Sequence, residues 1–189
     1  MSRLLVGPTS LAVIAAAAWC AGSSDGKDAA TSQIVLTDPW NMPVALNMIP
    51  AGAPTLFYVC DPSEVRCREG AVYFDSKRRR FEESKIKPVC VLVGSREAAR
   101  EAAARMGLSV PVYVDAGRTL SSKLIGQEIM PALVLLDGKG NLVKVIVGGG
   151  EALDNNITTM LEARPGGHRV VYAVLVTLVV AVAVLLAVD

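Results

Sequence analysis

The sequence predicts an α/β domain: a mixed central β-sheet flanked by helices, preceded by an N-terminal β-hairpin and followed by a transmembrane helix. Three observations predict it. Apolar, strand-like runs alternate with helix-like runs through the middle of the chain, the order that builds a sheet with helical cover. One of these runs, PVCVLV at 88–93, is apolar throughout, as a strand buried on both faces is. The final run, 170–188, carries no charge; at about 1.5 Å per residue it reaches roughly 28 Å, close to a bilayer's hydrocarbon thickness.

The ends divide from the middle by composition. Residues 1–22 have a basic start (Arg3), an apolar run and small residues after it (Ala21, Gly22), the order of a signal peptide or N-terminal membrane segment. Cys20 lies where a lipoprotein box would put a lipidated cysteine, although Trp19 stands where that box wants a small residue. Residues 23–32 (SSDGKDAATS) read as a flexible linker, 33–163 as the folded domain, and 164–169 as a second linker before the 170–188 span. An export signal would put the domain on the periplasmic or extracytoplasmic side, tethered by its C-terminal span. Arg164 and Arg169 favour the opposite orientation under the positive-inside rule, which leaves a tail-anchored domain facing the cytosol as the alternative.

Composition excludes several function classes. A formal net charge of +1 over 189 residues gives no footprint for nucleic acid. The single histidine, His168, lies outside the domain, so a histidine-based triad or a histidine-rich metal site inside it is ruled out. No phosphate-binding loop and no dinucleotide fingerprint occurs. No cofactor or metal is expected. Four cysteines are too few for a disulfide-built scaffold.

Each element has its own signal. Runs at 34–37 and 44–46 flank Asp38-Pro39-Trp40-Asn41 and predict the hairpin. A proline- and glycine-rich turn at 50–54 leads into a strand at 56–59. A helix opens at Glu64 and continues through Phe74 to the basic run Lys77-Arg78-Arg79-Arg80, read as a solvated face; Gly70 weakens it. After the 88–93 strand, whose Cys90 reads as core, Ser95 caps a helix over 96–106 that Gly107 closes. A strand at 110–114, a short helix at 119–125, a hairpin of strands 131–136 and 142–147 around Asp137–Asn141, and a helix at 151–163 complete the domain.

The chemistry is expected at the junction TLFYVCDPSEVRCRE, 55–69. A helix N-terminus favours a thiolate over a thiol. Cys67 sits in the first turns of its helix with Arg66 and Arg68 on either side, both pushing the same way. Cys60 lies seven residues upstream, across a turn that is able to bring the sulfurs together.

Taken together, 34–161 resembles a thioredoxin-like domain of the redoxin or AhpC-TSA type, membrane-anchored, with a degenerate redox motif. The resemblance rests on the hairpin, on Gly52-x-Pro54-x-Leu56, on KPVCVLVG and its helix, and above all on MPALVLLDGKGNLVKVIVGG. It implies a cis bond before Pro131, with Met130 and Pro131 forming the substrate-docking edge. It departs at the redox site: Cys-x-x-Cys is absent. LFYVCDPSEVRC resembles a peroxidase motif with Ser63 at the hydroxyl position, but Cys67 comes one residue late and Val59 replaces the proline.

Three functions follow. The first is thiol–disulfide exchange by Cys67 and Cys60 on an exported thiol-containing protein. The second is a redox-inactive binding or assembly module with a structural Cys60–Cys67 disulfide. The third is a peroxidase using Cys67 with Ser63 in support.

Overall fold

A computed structural model of the chain describes residues 31–38, 40–125 and 130–163. The expected signal segment, lipidation at Cys20, the 164–169 linker and the 170–188 span lie outside these residues. Among the described residues no helix is long and apolar enough to cross a membrane. Thr31 is already buried, so the packed domain takes in the last residues of the expected 23–32 linker.

Seven strands form one sheet: β1 (Val35–Thr37), β2 (Pro43–Ala45), β3 (Thr55–Cys60), β4 (Lys87–Val93), β5 (Val112–Asp115), β6 (Ala132–Leu136) and β7 (Leu142–Val147), in the order β2-β1-β5-β4-β3-β6-β7. β3, β4 and β5 are parallel; every other pairing is antiparallel. The hairpin β1–β2 continues the sheet beside β5, through the pair Thr37 and Val114. Among the described residues, four α-helices of six residues or more pack with the sheet: α1 (Val65–Ser76), α2 (Arg78–Glu83), α3 (Arg96–Met106) and α4 (Leu153–Glu162).

β3 is buried along its whole length, and its period-two alternation divides the domain into two cores. Leu56, Tyr58 and Cys60 face one way, into a core completed by side chains from all four helices, among them Phe74, Phe81, Ala99 and Ile157. Phe57 and Val59 face the other way, onto Ile34, Leu36 and Leu46 from the N-terminal lead, Leu120, and Ile125 from the short π-helical turn Ser121–Ile125 that follows it. Among the described residues the four α-helices lie on one face, and the expected helix at 119–125 is a short helical turn on the other. The N-terminal lead shares that second layer with it.

Local chemistry explains the element ends. The Ser95 hydroxyl accepts from the Ala98 N–H, and Gly107 closes α3 in the left-handed region at φ 61°. In the β6–β7 turn the Asp137 carboxylate accepts from the Lys139 and Asn141 N–H groups. The long helix expected after Cys67 is instead two, broken at Lys77. Its basic run is internally paired: Arg78 with Glu82, Arg79 with Glu83, and Lys77 and Arg80 with Asp154 of α4.

The approach of α1 to β3 is close. The Tyr58 hydroxyl donates to the Cys67 carbonyl at 3.3 Å, and the ring stacks on Phe74 with centroids 5.5 Å apart. A Cβ on Gly70 would overlap the Tyr58 hydroxyl. Gly70 weakens its helix, but it opens the notch that receives Tyr58. Gly70→Ala is therefore expected to destabilise the fold by about 1–3 kcal/mol through overpacking, despite alanine's advantage of about 1 kcal/mol as a helix former. Urea unfolding measures it; an unchanged or raised midpoint would mean that α1 and Tyr58 are not in contact.

Candidate functional site

The site is built where β3 ends and α1 begins. Cys60 is the last residue of β3; Asp61 to Glu64 form the loop; Cys67 is the third residue of α1. The loop is held from several sides. The Asp61 carboxylate accepts from the Ser63 N–H at 2.9 Å and from its hydroxyl at 2.6 Å. Arg118 reaches the same carboxylate at 3.4 Å. Arg68 donates to the carbonyls of Pro62 at 2.7 Å and Ser63 at 3.0 Å.

Cys67 is fully buried. Its sulfur lies 3.8 Å from Glu64 Oε2. Burial pushes its pKa from the ordinary 9.0 up to about 12; the Asp61 N–H pulls the other way, while the nearby Cys60, Glu64 and Asp61 push further up. This overturns the expected thiolate. Arg68 is spent on the loop carbonyls, and Arg66 points to solvent, so neither guanidinium offsets the loss of water. At pH 7 Cys67 is therefore a thiol.

Cys60 is equally sealed. A hydrogen bond with the Cys90 thiol, then burial, hold its pKa well above the ordinary thiol range. The register explains the contact: Tyr58 pairs with Cys90 across the parallel strands, so Cys60 and Cys90 share a face one step apart. Cys60, Cys67 and Cys90 all carry free thiols in one core. The Cys60–Cys67 disulfide expected of a structural bridge is not made: both thiols are free and buried in the same core. Ser63 gives its hydroxyl to Asp61 instead of supporting a peroxide at the sulfur.

Met130 and Pro131, the expected docking edge, lie at the same end of the sheet. The Met130–Pro131 peptide bond is cis, the geometry that the resemblance implies there. Val59 pairs with Ala132, which sets Pro131 beside the end of β3. The Pro131 carbonyl accepts from the Gly148 N–H at 2.8 Å, and Gly149 packs so closely that a Cβ would overlap the proline ring. From Gly149 a groove of about 830 Å³ runs along the outer face of α1, lined by Arg66, Glu69, Tyr73, Glu151 and Asp154. Among the described residues no cluster of His, Cys, Asp or Glu is arranged to hold a metal ion.

Two participants went unread in the sequence. One is Cys90, whose strand position was clear but whose neighbour was not. The other is Glu64, which stands three residues before Cys67 and shares a helix start with it.

No protein-family profile and no curated protein matches the chain. Solved structures do. MTB dsbF, in mixed oxidised and reduced forms, is 16% identical with a TM-score of 0.57, over 71% of this chain and 96% of that one. Peroxiredoxin Q of Xanthomonas campestris is 18% identical with a TM-score of 0.57, over 70% and 92%. The thioredoxin domain of a Bacteroides vulgatus thiol-disulfide oxidoreductase is 19% identical with a TM-score of 0.54, over 68% and 92%. At these identities the likeness establishes the fold: the chain has a thioredoxin-like fold.

The raised pKa of Cys67 has a consequence for stability. Below pH 9 the thiol is neutral in both folded and unfolded chains. Above it the unfolded chain loses the proton and the folded chain keeps it, so stability falls as pH rises from about 9 towards about 12. Tyr58, raised chiefly by burial, adds in the same direction. Denaturant midpoints across this range are expected to fall, and to fall less steeply in Cys67→Ala; equal slopes would mean that Cys67 titrates normally.

Proposed function

We propose that this chain is a thioredoxin-fold module that engages an extended polypeptide beside Met130 and Pro131, with its thiols held reduced and out of turnover at rest. The observation that carries this is the complete burial of Cys60 and Cys67, with a carboxylate in contact with the Cys67 sulfur. Exchange needs an approachable thiolate, and burial opposes both access and ionisation. The groove along α1 is lined with charges of both signs and leads away from the proline edge, which suits a polar peptide chain. The module reading thus stands without the structural disulfide first attached to it.

A second reading, thiol–disulfide exchange, is favoured by the position of Cys60 and Cys67 at a strand-to-helix junction beside Pro131. Likeness to thiol redox proteins supports a thiol redox role in general, as fold analogy. In that reading the first turn of α1 opens, the Cys67 thiolate attacks a partner disulfide, and one partner sulfur leaves as thiolate. Cys60 then attacks Cys67, forming the Cys60–Cys67 bond and releasing the reduced partner. Peroxidase activity gains no support, since the charged groups that face the Cys67 sulfur are acidic.

We further propose that 170–188 anchors the domain to a membrane on the extracytoplasmic side, where its partner is an exported, thiol-containing protein. The apolar, uncharged stretch and the 1–22 segment support this. Protease added to spheroplasts, whose inner membrane is intact, is expected to cleave the domain; protection would favour the cytosolic, tail-anchored orientation.

Maleimide trapping of the full chain across glutathione buffers separates the two functional readings. The module reading expects Cys60 and Cys67 to stay reduced and to alkylate at pH 7 no faster than the chain unfolds. A Cys60–Cys67 bridge with a potential above about −250 mV, the range of labile disulfides, would overturn it in favour of exchange.

A further inference from the structure

Glu64 is the N-cap residue of α1, yet its side chain makes no capping bond to the helix backbone. Its carboxylate turns to Cys67 instead, with Oε2 3.8 Å from the sulfur. A dithiol of the Cys-x-x-Cys kind sets its two sulfurs three residues apart at a helix N-terminus. Positions 64 and 67 have that spacing and that place, and their side chains meet.

We propose that Glu64 occupies the place of a dithiol's first sulfur and is the positioning residue that keeps Cys67 a thiol. Its oxygen accepts the S–H, and its charge repels a thiolate. It also removes the sulfur that would attack a partner. The site thereby recognises polypeptide without exchanging with it. This deepens the module reading and rests on it.

The other groups facing the Cys67 sulfur act alongside Glu64 without replacing it. Cys60 comes from β3 and Asp61 from the loop. Tyr58, also on β3, gives its hydroxyl to the Cys67 carbonyl, not to the sulfur. The charged groups among them are all acidic. Glu64 is the one whose side chain contacts the sulfur from outside the core; it is solvent-exposed on its other side, so it can be exchanged without opening a cavity.

Two full-chain variants test this. In Glu64→Cys, oxidised glutathione is the oxidant. The new thiolate at position 64 attacks it, forming a mixed disulfide and expelling one glutathione thiolate. Cys67 then attacks the position-64 sulfur, closing the intramolecular bond and expelling the second. Two protein thiols are oxidised and one glutathione disulfide is reduced to two thiols. The expected result is the loss of two maleimide-reactive groups on unfolding, a 64–67 disulfide in the peptide map, and dithiothreitol-driven reduction of a small disulfide probe at least about tenfold above the parent. In Glu64→Gln the acceptor and shape remain and the charge goes. The pH profile of the folded chain's ultraviolet thiolate absorbance, taken as the difference from the same chain with Cys67→Ala, is then expected to move to lower pH than in the parent, a readout that needs no reagent to reach the buried sulfur.

A folded Glu64→Cys chain that stays dithiol throughout, or an unmoved profile in Glu64→Gln, overturns the role given to Glu64. If Glu64→Cys does not fold, the Gln profile decides alone. Failure of the module reading looks different: the parent chain itself would show a labile Cys60–Cys67 couple.

Discussion

The contact between Tyr58 and the first turns of α1 sets the geometry of the whole site. β3 carries Tyr58 into the helix-covered core, and Gly70 leaves the space its hydroxyl occupies. The hydroxyl then holds the Cys67 carbonyl, while the ring begins a stack through Phe74 to Phe81. α1 is thus fixed in rotation as well as in distance. With Ala71 and Phe74 turned into the core, helical periodicity turns Cys67 inward as well, one turn earlier. The fate of the thiol follows from how an aromatic side chain on the strand seats the helix.

Magnitudes show why burial prevails at Cys67. A helix N-terminus is worth about 0.3–1 kcal/mol to an anion, and up to about 2 kcal/mol in partly buried geometry, which lowers a pKa by at most about 1.5. Full desolvation moves a pKa by up to about 3–5. The helix start and the Asp61 N–H both favour the thiolate, and both are outweighed. The arginines cannot tip the balance from where they stand. Arg68 satisfies the carbonyls of Pro62 and Ser63, so its charge closes the loop over the sulfur instead of ionising it.

Much of the fold was legible because it is written in short-range chemistry. The Ser95 cap, the Gly107 stop, the Asp137–Asn141 turn and the apolar runs of β3, β4 and β6 each need only their immediate neighbours to be read. The position of Met130 and Pro131 could be fixed through the hairpin that follows them. What could not be read were quantities set across the fold. The Cys60–Cys90 contact depends on the β3–β4 register, and the burial of Cys67 depends on the rotation of α1. Flanking arginines looked like partners of Cys67, but residues at i ± 1 on a helix do not share its face. The informative neighbour was at i − 3, Glu64, which helical spacing alone would have indicated.

The same packing that seals the thiols leaves a different surface open. With Cys67 and Ala71 turned inward, the outer face of α1 presents Arg66, Glu69 and Tyr73 to the groove that starts at Gly149. Gly149 is pressed against the buried Pro131, so the groove begins at the residue that covers the proline. Tyr73 is itself fixed, its hydroxyl donating to Asp154 at 2.9 Å and its ring lying 4.4 Å from the Lys77 ammonium. Asp154 gathers Lys77 and Arg80 as well, which ties α4 to the helices on which the groove depends. A surface held by cross-links of this kind keeps its shape before any partner arrives, and preorganisation lowers the cost of binding. Exposed ion pairs contribute little to stability singly; here their consequence is geometric. In the proposed module the groove and the thiols, which share one surface wherever a reactive sulfur is exposed beside a docking edge, lie on opposite faces of the same helix.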